Sequence, residues 1–312
     1  MKIELDLDKK REIEIGDGGR VKFRLRDITV EPGRDVNLKK DFDPDFTGGY
    51  DDKAGALQHV AENVQRLSSM QEKLYAQDTY SLLIIFQAMD AAGKDGAIRH
   101  VMSGVNPQGC QVTSFKAPSA DDLDHDYLRR ASVALPGRGM IGIFNRSYYE
   151  EVVVVRVHPE MLMKQKLPLQ ARGKDIWERR FKDINNFEKY LRRNGTIIVK
   201  FFLNVSKKEQ KRRFLSRIDE PEKNWKFSSA DFAERQHWDD YQNAFQDMLS
   251  NTSTDWAPWF VIPADNKWFA RLAISEVVAA VLDKLDLAMP VVDDERRMEL
   301  QRLKAELLAE AD

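Results

Sequence analysis

Apolar residues in this chain gather into short, nearly uninterrupted runs, separated by longer stretches with helical spacing. The run SLLIIFQ at 81–87 is apolar almost throughout, which marks a strand buried on both faces. Comparable runs recur as CQVTSF (110–115), GMIGIF (139–144), TIIVKFFLN (196–204) and WFVIP (259–263). Around them the spacing predicts helices over 53–75, 120–134, 175–193, 206–218, 229–249 and 266–285. In the first, Ala56, Leu57, Val60, Val64 and Leu67 share a face. Strands alternating with helices predict an α/β fold, a parallel sheet flanked by helices whose ligands lie at the carboxyl ends of the strands. Residues 1–55 are polar, with weak alternation in VKFRLRDITV, and are expected to form a partly irregular arm with little chemistry. At the other end, 289–312 reads as a charged helix with Met298, Leu300, Leu303, Leu307 and Leu308 near one face. Packing on its own domain and contact with another subunit fit that face equally, and a homo-oligomer is expected.

Composition narrows the function. The 312 residues, 42% of them hydrophobic, can bury the core of one large domain or two small ones. No apolar run approaches the ~18 residues of a membrane span, and MKIELDLDKKREIEI lacks the apolar centre of a secretory signal. A cytoplasmic protein without a membrane partner is expected. A net charge of −2 argues against binding nucleic acid through overall charge. The single Cys110 rules out an internal disulfide, and no Cys/His cluster has zinc-ligand spacing.

The chemistry concentrates where strands end. After the first strand comes FQAMDAAGKDG (86–96), followed by the helical GAIRHVMSG. Strand, glycine-containing loop and helix form the context of a phosphate-binding loop, G-x-x-x-x-G-K-[ST]. Gly93 and Lys94 are in register, while Ala88 replaces the first glycine, Asp95 replaces the hydroxyl residue and Asp90 sits inside the loop. The N–H groups of Ala91, Ala92, Gly93, Asp95 and Gly96 are candidate phosphate ligands, and Asp90 is the candidate ligand for magnesium. The second motif is GMIGIFNRSYYEEVVVVRVHPE, in which the strand ends at Asn145 where many such enzymes place a metal-binding aspartate. Asn145 can orient a phosphate or a metal-bound water, with Glu150 or Glu151 as further metal candidates. Arg146 follows and offers a planar fork of donors for phosphate oxygens.

Across 205–226 eight Lys or Arg face four Asp or Glu, a local basic patch in an acidic chain. Arg213 and Arg217, four apart on one helix face, are the best placed to converge on an anion. Most of that patch reads as a solvated face, and the six tryptophans, all from Trp177 onward, read as packing apart from Trp225 in EKNWKF. Upstream, Lys116 follows a strand, Ser119 is a candidate helix cap, and Arg130 could approach the same crevice.

With these residues in place, the chain resembles the polyphosphate kinase 2 family over roughly 54–285. The matching stretches are FQAMDAAGKDGAIRHV, SFKAPSADDLDHDYLRR, GIFNRSYYEEVVVVRVHPE, INNFEKYLRRNGTIIVKFFLNVSKKEQKRRF, PEKNWKFSSAD and APWFVIPADNKWFARL. The resemblance implies a P-loop kinase fold similar to thymidylate kinase over 56–288, with a helical lid within about 175–230. It implies reversible transfer of the terminal phosphate of inorganic polyphosphate to nucleotides with Mg2+, or with Mn2+ in its place. Adenine nucleotides are the expected acceptors, with guanine as a second base. The family's second motif often reads Asp-Arg-Ser, whereas here it is Asn145-Arg146-Ser147, which resembles the class III branch that accepts both AMP and ADP. The implied catalytic residues are Asp90, Lys94, Asn145 and Arg146, and Arg180, Arg213, Arg217 and Lys226 are the expected lid cations. Two alternatives stay open: an ATP-dependent nucleoside monophosphate kinase, which would normally keep the hydroxyl that Asp95 replaces, and a non-catalytic polyphosphate or nucleotide sensor.

Overall fold

The computed structural model describes residues 5–8, 10–14, 20–49 and 53–310, so parts of the N-terminal arm, residues 1–4 included, lie outside the described residues. The strands are β1 (Lys10–Glu14), β2 (Arg20–Arg24), β3 (Thr29–Val30), β4 (Ser81–Ala88), β5 (Cys110–Ser114), β6 (Ile141–Asn145), β7 (Thr196–Asn204) and β8 (Trp259–Pro263). Before the loop lie α1 (Leu38–Asp41) and α2 (Lys53–Gln77), and directly after it comes α3 (Lys94–Val101). Four short helices follow: α4 (Ala120–Leu123), α5 (Arg129–Val133), α6 (Val154–Val157) and α7 (Pro159–Lys164). The second half holds α8 (Ile176–Arg193), α9 (Lys207–Asp219), α10 (Ser229–Glu234), α11 (Trp238–Thr252), α12 (Lys267–Asp283) and α13 (Asp294–Ala309).

The main sheet has the order β3-β8-β7-β4-β6-β5, with five parallel strands and β3 antiparallel at one edge. Every residue of β4 and β7 is buried, as expected for central strands covered on both faces. Parallel register places Phe86 beside both Asn145 and Phe201, so β4 and β6 deliver their loops to one end of the sheet.

Lys200 is the polar exception inside β7. It is fully buried and donates to Glu188 Oε2 (2.7 Å), Tyr149 Oη (2.9 Å) and the Thr252 carbonyl (2.7 Å). Glu188 Oε1 accepts from Tyr148 (2.9 Å) and Tyr149 (2.6 Å), so each buried charge is paired and hydrogen-bonded. That network ties α8 and α11 to the turn that follows Arg146.

The structure departs from the sequence expectation in two helices. The helix expected over 120–134 is split, because Ser119 and Asp122 close a capping box and Asp126 accepts the Leu128 N–H, local bonds that compete with helix continuation. The helix expected over 229–249 is interrupted by a tight turn at Arg235–His237, where Arg235 reaches back to the Lys207 carbonyl (2.9 Å) and Gln210 (2.6 Å). Within the arm, Phe23, Leu25, Ile28 and Val30 are fully buried, and β3 extends the sheet by pairing with the edge of β8. Of the two roles left open for α13, packing on its own domain is not observed: none of its residues is buried, and Met298 is 68% and Leu307 66% exposed. No helix among the described residues is long and apolar enough to cross a membrane.

Candidate active site

The loop between β4 and α3 turns through two left-handed residues, Ala91 (φ 61°) and Gly93 (φ 107°). Gly93 is suited to this by its missing Cβ, whereas Ala91 is strained and must be held. Arg213 supplies the hold. Buried against the loop, it donates through Nη1 to the Ala91 (3.1 Å) and Ala92 (2.6 Å) carbonyls, and through Nη2 to the Ala264 and Asp265 carbonyls. Its Nε is engaged by Glu209 at 2.8 Å. Because a trans peptide sets C=O and the next N–H in opposite directions, fixing the Ala92 carbonyl on Arg213 aims the Gly93 N–H away from it, free for a phosphate oxygen.

Lys94 opens α3 and is buried, its ammonium donating to the Ala88 (3.1 Å) and Met89 (3.4 Å) carbonyls. Burial, followed by the neighbouring Arg146 charge, holds its pKa below the ordinary lysine value against the opposing pull of Asp90, Glu150 and Asp95. A lysine in this state gains when an anion arrives.

Arg146 stands just past β6 with φ 63°, its N–H bonded to the Phe86 carbonyl at 3.0 Å. Its side chain is held by two carboxylates, Asp90 at 2.5 Å from Nη2 and Glu150 at 3.2 Å from Nη1. Burial works against its charge, but Glu150 and Asp90 outweigh that and raise its pKa, so the guanidinium is permanently cationic. A strained backbone carrying a clamped cation between two loops is the form in which functional sites store strain. Asn145 completes the seam by donating to Asp95 Oδ1 at 2.7 Å. The sheet thus brings Asp90, Lys94, Asp95, Asn145 and Arg146 together, with Ala91, Ala92, Gly93 and Gly96 in the same loop and helix start.

The expected cations divide. Arg180 is not free for a phosphate: it forms a buried ion pair with Glu151, donates to Gln165 (2.7 Å) and lies over the rings of Tyr127 and Trp177. Arg213 is spent on loop carbonyls rather than on a lid. Arg217 reaches Asp231 (3.4 Å) and the Lys226 carbonyl (3.1 Å), and Lys226 rests over Trp225 (4.9 Å), both in the segment expected as a lid. On the β5 side, Arg130 bonds the Lys116 carbonyl (2.8 Å) and lies over Phe115 (5.4 Å).

Three neighbours escaped the sequence reading. Gln210 donates to the Asp90 carbonyl (3.0 Å) and accepts from Arg235. Asp231, which closes the quoted stretch PEKNWKFSSAD, has its carboxyl pushed up by burial and then by Asp90, while Arg217, Arg146 and Lys94 pull it down. Tyr241 feels Glu150 and Asp90 and donates to Glu234 at 2.6 Å. Gln210 and Asp231 each left a signal by falling within family-like stretches, VSKKEQKRRF and PEKNWKFSSAD, whereas Tyr241 left none.

For a divalent ion, no group of three His, Cys, Asp or Glu among the described residues could hold one unaided. Magnesium in kinases takes one or two carboxylates and completes its shell with substrate phosphates and water, so Asp90 beside Glu150 fits that donor set.

A lysine-bearing loop at the centre of a parallel sheet, with an arginine delivered by the neighbouring strand, defines a phosphoryl-transfer enzyme of the P-loop kinase class. Residues 50–289 match the family model described as Polyphosphate kinase 2 (PPK2), and the chain belongs to that family. The ADP-polyphosphate phosphotransferase of Rhodopseudomonas palustris is 50% identical, covering 92% of this chain and 100% of that protein. The AMP/ADP-polyphosphate phosphotransferase of Meiothermus ruber is 42% identical, covering 85% and 96% respectively. The crystal structure of polyphosphate kinase 2 from Arthrobacter aurescens TC1 superposes with a TM-score of 0.78 at 40% identity, covering 87% of this chain and 95% of that one.

Proposed function

We propose that this protein reversibly transfers the terminal phosphoryl group of inorganic polyphosphate to AMP and ADP, giving ADP and ATP. The observation that carries the reading is the Asp90–Arg146–Glu150 clamp beside the buried Lys94, on a chain half identical to an ADP-polyphosphate phosphotransferase. In the reaction a nucleotide phosphate oxygen attacks the terminal phosphorus, and the bond to the bridging oxygen of polyphosphate breaks. The shortened chain leaves with that oxygen. Such a displacement needs alignment and charge neutralisation and no nucleophilic side chain.

Lys94 and the Gly93 N–H bind phosphate oxygens next to the transferred group. Arg146 meets the charge that develops on the equatorial oxygens and, held by Asp90 and Glu150, needs little reorganisation to do so. Asn145 positions Asp95 and with it the start of α3. A divalent cation, Mg2+ or Mn2+, would be held by Asp90 with the phosphates and would neutralise phosphate charge. Arg217 and Lys226 close over the polyanion as the lid, Arg217 exchanging Asp231 for phosphate, and closure excludes water that would hydrolyse the donor. Lys116 and Arg130 line the approach from the β5 side. Guanine nucleotides as second acceptors, a homo-oligomer and a cytoplasmic location, where these nucleotides are supplied, belong to the same proposal.

The test is nucleotide formation by the purified protein from AMP or ADP with polyphosphate and a divalent cation, beside a control with ATP and AMP alone. ATP formed from both acceptors only with polyphosphate supports the reading. Turnover confined to the ATP control overturns the donor assignment, and polyphosphate binding without turnover favours the sensor.

A further inference from the structure

At the opposite end of the sheet from the loop, where β7 and β8 begin, a cavity of about 350 Å³ opens between Leu5, Leu7, Phe260, Val281, Arg192 and Trp256. Its walls are mainly apolar, yet two strong donors are stranded there. Arg192 Nε and Nη1 and Trp256 Nε1 are buried without a hydrogen-bond partner, although Arg192 is only 8% exposed. No carboxylate among the described residues pairs with that guanidinium, and burial pushes its pKa below the ordinary arginine value. Lys189 lies 5.0 Å over the Trp256 ring and adds to the positive field. A buried cation and a buried indole N–H, both lacking acceptors, are costly to leave so, and such orphaned groups call for a missing partner.

The rest of the lining restricts that partner. Glu31 and Asp255 also face the cavity, Glu31 in an exposed pair with Arg26 at 3.4 Å. Two carboxylates oppose a polyanion, which sets polyphosphate and nucleotides aside. The apolar walls and the volume suit a compact hydrocarbon body.

We propose that this cavity is a second ligand site, separate from the phosphoryl-transfer centre, that binds a small organic monoanion through a carboxylate accepting from Arg192 and Trp256. The test is calorimetric titration of the full-length protein with octanoate and with benzoate, a flexible and a flat monocarboxylate, and with octanol as the neutral analogue. One octanoate or benzoate per chain is expected, with at least tenfold weaker binding of octanol and no displacement by polyphosphate. Arg192→Met is expected to weaken carboxylate binding at least tenfold, and Trp256→Phe severalfold. If Arg192→Met fails to fold, Trp256→Phe and the octanol comparison still decide. Failure of both carboxylates to bind, equal binding of octanol, displacement by polyphosphate, or unchanged affinity in the folded variants would overturn the proposal.

Discussion

Arg146 and Asp90, 56 residues apart in the chain, meet at 2.5 Å between Nη2 and Oδ1 and lock the loop after β6 to the loop after β4. The guanidinium can serve Asp90, Glu150 and a phosphate at once because its five donors form a fixed fork, which an ammonium cannot copy. Arg146→Lys is therefore expected to lower kcat by about 10³-fold or more, with a smaller change in KM and an unchanged circular dichroism spectrum. Turnover within tenfold of the parent would remove Arg146 from the transition state.

Lys94→Ala is expected to reduce turnover by roughly 10–10³-fold without unfolding the protein. The parent enzyme adds a pH signature. Since burial and Arg146 depress the Lys94 pKa, the ammonium is lost, and kcat/KM falls, as pH rises through a value below that of an ordinary lysine. A rate profile flat to the ordinary lysine range would contradict this.

Arg213→Lys replaces a two-pronged fork by a single ammonium with three donors, which cannot keep all four bonds to the Ala91, Ala92, Ala264 and Asp265 carbonyls. The strained loop then relaxes, and a shift of about 1 Å in a reacting group costs on the order of 10² in rate. Faster hydrogen exchange at 91–94 together with that loss is the expected result. Lost activity with unchanged exchange would instead point to direct contact with substrate.

Glu188→Gln leaves the Lys200 ammonium buried without its counter-charge and is expected to cost about 3–5 kcal/mol in denaturant unfolding. The double variant Lys200→Met/Glu188→Leu is expected to recover part of that loss, since neither charge remains. A double variant as unstable as the sum of the singles would show that the pair is not coupled.

His59 joins α2 to α12 through Glu276, 2.6 Å from its Nε2. That hydrogen bond outweighs burial and raises the His59 pKa above its usual 6.5. The folded state therefore holds the proton more tightly than the unfolded chain. The added stability is fully present below pH 6.5 and is lost as pH rises through the folded-state value. His59→Gln should lower stability by roughly 1.5–3 kcal/mol at acidic pH and progressively less on the alkaline side. A difference independent of pH in thermal melts would refute the linkage.

Much of this molecule was legible in its sequence. Nearly uninterrupted apolar runs located all five parallel strands to within two residues at either end, and 196–204 and 259–263 matched in full. The strand, loop and helix around Lys94, and the arginine past the next strand end, were read from local pattern alone, because period and turn chemistry are local properties. What the chain could not disclose is how each long cation spends its donors. Arg180, Arg213 and Arg217 carry the same charge in the sequence, yet one is neutralised by Glu151, one is consumed by loop carbonyls, and one pairs with Asp231. The breaks at 124–128 and 235–237, and the recruitment of β3 to the sheet edge, were likewise decided by partners distant in sequence or by side chains competing for the backbone. Sequence determined the elements and the loop proposed to bind phosphate. Tertiary packing decided which charges remain free to meet a substrate, because a charge is available only when no buried partner has already claimed it.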